Sequence, residues 1–147
     1  MKNIFKRLLL TTMATSTLVF SNLTLASDIE FKITGINSDN GKIYIQLFKG
    51  EENYKKGNAE SSSIIKAVKG GTKIIFPNVS PGEYAVRFFH DENNNGELET
   101  NLFGLPVEGY GFSNNAQPDF GPVSYNEMKF LVSADEAIVK NQTTAIY

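Results

Sequence analysis

The residues best placed to do chemistry lie in one stretch, His90-Asp91-Glu92-Asn93-Asn94-Asn95-Gly96-Glu97-Leu98-Glu99. Asp91, Asn93 and Asn95 stand at the first, third and fifth positions of a calcium-loop pattern, with Gly96 at the sixth. Alternate side chains at that spacing turn their oxygens toward one point, and glycine permits the sharp bend that follows. The Glu97 carbonyl falls at the seventh position and Glu99 at the ninth, so Asp91, Asn93, Asn95, Glu97 and Glu99 are the expected ligands of a Ca²⁺ ion. The pattern breaks at the twelfth position, where Leu102 replaces the bidentate glutamate. Calcium prefers roughly six to eight hard oxygens, so Glu108, Asp119 or water would have to complete a weak site suited to millimolar calcium. The competing possibility is a tight, solvated turn, because Asp and Asn favour turns and tolerate left-handed backbone without any ion.

His90 is the only histidine. With Asp91 or Glu92 to orient it, it could act as a general base, with Ser113 as a distant nucleophile. A carbohydrate-active or hydrolytic protein using His90 with nearby carboxylates is therefore carried as the alternative function, although no spacing brings a triad together. One histidine and no cysteine do not make a zinc site. No glycine-rich loop opens a helix, so phosphate cradles are absent. A second unusual segment, Phe103 to Asn115, contains Gly109-Tyr110-Gly111-Phe112. Its aromatics are expected to plug the end of the core and pin a long loop. The alternative is a sugar- or peptide-binding face that includes His90, Glu108, Tyr110, Phe112 and Asn114.

Strands must position these residues. Ile29, Phe31 and Ile33 alternate with polar residues, as do Ile43, Ile45 and Leu47, and Asn40-Gly41 between them predicts a hairpin. Residues 49–62 are polar and predict an exposed connection. Ser63–Val68 and Thr72–Phe76 flank Gly70-Gly71 and predict a second hairpin. Pro77 to Gly82 is a turn leading into Glu83–His90, the strongest strand, with Tyr84, Val86 and Phe88 on one face and His90 on the same parity. A long glycine-punctuated stretch runs from Asp91 to about Ser124. Tyr125–Val132 and Ala137–Tyr147 close the chain as strands. About seven short strands at this spacing predict an all-β, two-sheet antiparallel sandwich of prealbumin-like or immunoglobulin-like type.

The N-terminus carries a basic segment (Lys2, Lys6, Arg7), an apolar run from Leu8 to Phe20, and Thr24-Leu25-Ala26. That pattern is a signal peptide, residues 1–26, cut before Ser27 to leave one domain of residues 27–147. The run is shorter and more polar than the roughly 20 apolar residues a membrane span needs. Removing it takes away Lys2, Lys6 and Arg7 and no acid, which shifts the formal charge from −2 to −5. An acidic domain with no basic block suits neither nucleic acid nor an anionic membrane surface. With no cysteine, disulfides and thiolate chemistry are excluded, and the core alone must hold the fold.

Taken together, Pro81-Gly82-Glu83-Tyr84, His90-Asp91-Glu92-Asn93 with Asn95-Gly96, and Phe103-Gly104 with Pro106 and Glu108-Gly109-Tyr110-Gly111-Phe112-Ser113-Asn114 resemble a family of small exported bacterial proteins classed as a domain of unknown function. The resemblance spans Ile29 to Tyr147 and implies a periplasmic or extracellular protein, with no established activity. The Pro-Gly-Glu-Tyr turn and the Asp/Asn loop are also similar to prealbumin-like B-type repeats of bacterial surface proteins. Several of these bind calcium through such loops. The expected function is an exported, non-enzymatic binding or structural module of the cell envelope with a Ca²⁺-stabilised loop, whose partner is an envelope protein or a carbohydrate.

Overall fold

The computed structural model describes residues 26–119 and 121–147; of the predicted export segment only Ala26 falls among them. The described residues form eight strands: β1 (Ser27–Thr34), β2 (Lys42–Lys49), β3 (Ser61–Lys66), β4 (Gly71–Val79), β5 (Gly82–Asp91), β6 (Gly109–Phe112), β7 (Phe130–Val132) and β8 (Ile138–Thr144). A three-stranded sheet has the order β4-β1-β8. A five-stranded sheet runs β3-β2-β5-β6, with β7 also on β5. The all-β, two-sheet sandwich is thus as expected, with eight strands where about seven were expected and with one parallel pair, β1 and β8, that corrects the all-antiparallel expectation. Its core is the inward parity of both sheets, with Ile29, Phe31, Ile33, Ile43, Leu47, Tyr84 and Val86 fully buried.

Both expected hairpins are corrected. β1 pairs with β4 and, in parallel, with β8, while β2 pairs with β3 and β5. The seven residues between β1 and β2 are long enough to arch from one sheet to the other. Buried Ile36 anchors the arch, and Gly35 and Ile36 exchange backbone hydrogen bonds with Gly70. Gly70-Gly71 likewise carries the chain across the sandwich. Facing two one-sided apolar strands across a core removes more apolar surface from water than laying them side by side. Residues 49–62, expected to be irregular, include a helix α1 (Glu51–Lys56) with Glu51–Lys55 and Glu52–Lys56 ion pairs one turn apart. The predicted strand over 125–132 is a helical turn α2 (Tyr125–Met128) followed by β7. Among the described residues no helix is long and apolar enough to cross a membrane.

One edge of β5 is shared. β6 pairs with Arg87 to His90 and β7 with Gly82 to Tyr84. Ser113, in a 3₁₀ turn just after β6, fills the gap between them. Its hydroxyl accepts the Val86 N–H (2.9 Å) and donates to the Met128 carbonyl. Ser113 is fully buried, so it is a structural plug and not a nucleophile. Ser113→Ala strands a buried N–H and carbonyl. It is expected to cost about 1–3 kcal/mol, read as a lower urea midpoint at unchanged m.

Candidate functional site

β5 delivers Asp91, fully buried, to the start of the Asp/Asn loop. Its two carboxylate oxygens accept the N–H groups of Asn95 (3.0 Å) and Gly96 (2.9 Å). Asn93 Oδ1 also accepts the Asn95 N–H, Asn95 Oδ1 accepts the Glu97 N–H, and Asn95 Nδ2 donates to the Glu99 carboxylate. The loop oxygens therefore close turns on their own backbone, and each retains a further lone pair. Glu108 is buried and accepts the N–H groups of Glu92 (3.0 Å) and Glu99 (3.1 Å), clasping both ends of the loop. Among the described residues no three acidic, His or Cys side chains gather closely enough to hold a metal ion. One oxygen each from Asp91, Asn93, Asn95, Glu99 and the Glu97 carbonyl would give a cation five ligands, fewer than the roughly six to eight calcium prefers.

His90 is fully buried with both ring nitrogens engaged. Nε2 lies 2.7 Å from the Asn40 carbonyl, to which it donates, and Nδ1 lies 2.8 Å from the Tyr147 hydroxyl and 3.4 Å from Glu92 Oε1. That hydroxyl in turn accepts the Asn37 N–H. With no nitrogen free and no exposure, His90 is not placed as a general base, and the hydrolytic alternative loses its key residue. It ties the β1–β2 arch and the C-terminus to β5.

Burial raises the Tyr147 pKa, the Asn37 N–H opposes the rise, and nearby Glu92 adds to it. A hydroxyl raised in the folded state contributes stability that is present below about pH 10 and lost as pH rises through the folded value. Tyr125 shares this direction, chiefly through burial. Tyr147→Phe is therefore expected to flatten part of the alkaline limb of a stability-versus-pH curve while lowering stability at neutral pH.

The outer face of the five-stranded sheet carries what was not foreseen. Register places Tyr44, Phe89 and Tyr110 in one cross-strand row, and Gln46, Arg87 and Phe112 in the next. Tyr44 and Phe89 stack with centroids 4.8 Å apart and planes 7° from parallel, and Tyr110 and Phe112 meet edge to face. Arg87 lies over the rings of Phe48 (4.9 Å) and Tyr54 (5.8 Å) and donates from Nε to Gln46. A groove of about 360 Å³ runs over these rows. It adjoins a more apolar one of about 630 Å³ walled by Leu105, Pro106, Pro118, Pro122 and Val123. Tyr54, Leu98, Tyr110 and Phe112 belong to both.

Tyr110 and Phe112 therefore stay outside the core between the sheets, although Phe112 packs, partly buried, against a small outer cluster of Ala85, Val123, Tyr125 and Met128. Their neighbours Gly109 and Gly111 face inward, where a Cβ would lie 2.5 Å from the rings of Tyr147 and Phe88. The expected binding set divides accordingly. Tyr110 and Phe112 line the groove, whereas His90 and Glu108 are internal fastenings. Asn114 is a brace: its amide donates to the Lys129 carbonyl (2.7 Å), and its Oδ1 accepts from Asn141. Tyr44, Tyr54, Arg87, Phe89 and Leu98 were missed. The readable signal was Arg87-Phe88-Phe89 after Val86, a strand apolar on both faces, which an outer face wholly open to water does not need.

The chain is thus an all-β sandwich with an aromatic-floored groove on one outer face, beside a self-closed acidic loop. Residues 31–140 match the model of the family described as "Uncharacterized protein conserved in bacteria (DUF2141)", and the chain belongs to that family. Comparison with curated proteins and with solved structures finds no significant match.

Proposed function

We propose that the chain is an exported, non-enzymatic binding module of the bacterial cell envelope, acting in the periplasm, whose Asp/Asn loop is stabilised by Ca²⁺. The observation that carries this is Leu98. It belongs to the acidic loop, between the candidate ligands Glu97 and Glu99, and it lines both parts of the aromatic groove. Ordering the loop therefore orders the groove wall. Export rests on the sequence of residues 1–26, and β1 starts at Ser27, the residue predicted to follow the cut.

Protein recovered after expression of the full chain is expected to begin at Ser27 by mass spectrometry. A cation that binds only the folded state at tenfold excess over its Kd stabilises it by about 1.4 kcal/mol. Millimolar calcium should therefore raise the melting temperature by a few degrees, and Glu99→Gln, at an exposed position, should remove the rise. No shift in the melt together with no heat in calorimetry would sink the calcium part of the proposal.

A further inference from the structure

Resting on the binding-module reading, we infer that the groove takes an amphiphilic organic anion, a carboxylate head on an apolar body, with its head at Arg87. Among the described residues, Arg87 is the only charged one lining either part of the groove. Among the described residues it has no carboxylate within 4 Å, and its one hydrogen bond, through Nε, goes to the neutral amide of Gln46. The rings of Phe48 and Tyr54 and the Nε hydrogen bond to Gln46 hold the guanidinium in place, and its terminal amino groups keep their donors for a ligand. A planar, pre-oriented guanidinium matches the two oxygens of a carboxylate better than a single hydroxyl.

Apart from Gln46, whose Oε1 is already held by Arg87, the rest of the lining is apolar or aromatic, chiefly Phe89, Tyr110, Phe112, Leu98, Leu105 and the prolines. Such a surface gains by covering a hydrocarbon or ring body, and the groove volumes fall within the usual range for small-ligand sites. In a domain of net negative charge, a single cation on an apolar floor selects for an anion that brings its own apolar body. A free inorganic anion would find one cation and no other built contact.

The test is calorimetry with four probes, laurate, 1-anilinonaphthalene-8-sulfonate, dodecanol and inorganic phosphate, on the exported protein with and without calcium. Laurate or the aromatic sulfonate is expected to bind one site per chain, and whichever binds more tightly reports a linear or a flat body. Dodecanol is expected to bind at least tenfold more weakly, and phosphate not at all. Arg87→Met, which keeps the packed stem, should erase the preference for the anion while leaving dodecanol unchanged, and Arg87→Lys should retain part of it. Phe89→Ala should weaken every amphiphile alike. Equal binding of laurate and dodecanol, or an unchanged preference in a folded Arg87→Met, overturns the anion assignment while leaving the binding groove standing. No binding of any amphiphile, with or without calcium, overturns the groove itself.

Discussion

Gly41→Ala is expected to destabilise the protein by about 3 kcal/mol or more, which lowers its melting temperature by roughly 10 °C. Gly41 has φ +70°, a backbone conformation that costs an L-residue about 1–2 kcal/mol. A Cβ there would also lie 1.8 Å from the Asp91 carbonyl oxygen and 2.8 Å from Glu92 Cα. Those atoms are backbone, and neither strand can yield. Lys42 pairs with Asp91 on one side, and the Asn40 carbonyl receives the His90 Nε2–H on the other. Overpacking of a fixed core contact adds typically 1–3 kcal/mol. Gly57 supplies the control, because it has nearly the same φ (+71°) with nothing within 4 Å of a Cβ. Gly57→Ala should therefore show the backbone cost alone, about 1–2 kcal/mol. Equal losses in the two variants, measured by chemical denaturation, would show that the β2–β5 approach is not the constraint described.

Glu108→Ala should follow closely, at about 2–4 kcal/mol, since hydrogen bonds to a charged acceptor are worth more than neutral ones and both donors lose their partner. The carboxylate is 5% exposed and holds the N–H groups of Glu92 and Glu99, residues that bracket the whole Asp/Asn loop. Glu108→Gln keeps the volume but turns an NH₂ toward one of the two N–H groups, so it should recover only part of the loss. Because Leu98 lies between the clasped residues, both variants should also speed amide exchange across 92–99. Exchange unchanged in Glu108→Ala would mean the loop is held by Asp91 alone.

Much of the site was legible as chemistry, but the partners of its groups inside the fold were not. His90, Asp91 and Glu108 stood out as titratable groups, and each turns out to satisfy backbone or side-chain partners inside the protein. Spacing along the chain can nominate oxygens for a cation. It cannot show that the same oxygens already face N–H groups two to five residues away. Phe112 and Tyr110 also stood out, but not the face of β6 that carries them. Their orientation follows from which parity of β6 meets Phe88 and Tyr147, residues of β5 and the C-terminus. Helix α1 was overlooked because six residues show no apolar periodicity, although its Glu-Glu-x-x-Lys-Lys order suits a helix dipole.

The acidic composition, the absence of cysteine and the inward parity of Ile29–Ile33, Ile43–Leu47 and Tyr84–Phe88 were set by the sequence alone, because alternation is a local property of an extended chain. Which strands pair was not. β1 and β2 could each bury the same face in a hairpin or across a sandwich. The choice fell to β4, β5 and β8, whose partners lie tens of residues away. The tertiary structure likewise decided that Tyr44, Arg87, Phe89, Tyr110 and Phe112 meet on one outer surface. Three strands had to come into register before their side chains formed a groove, and a non-local register depends on total burial rather than on any one segment.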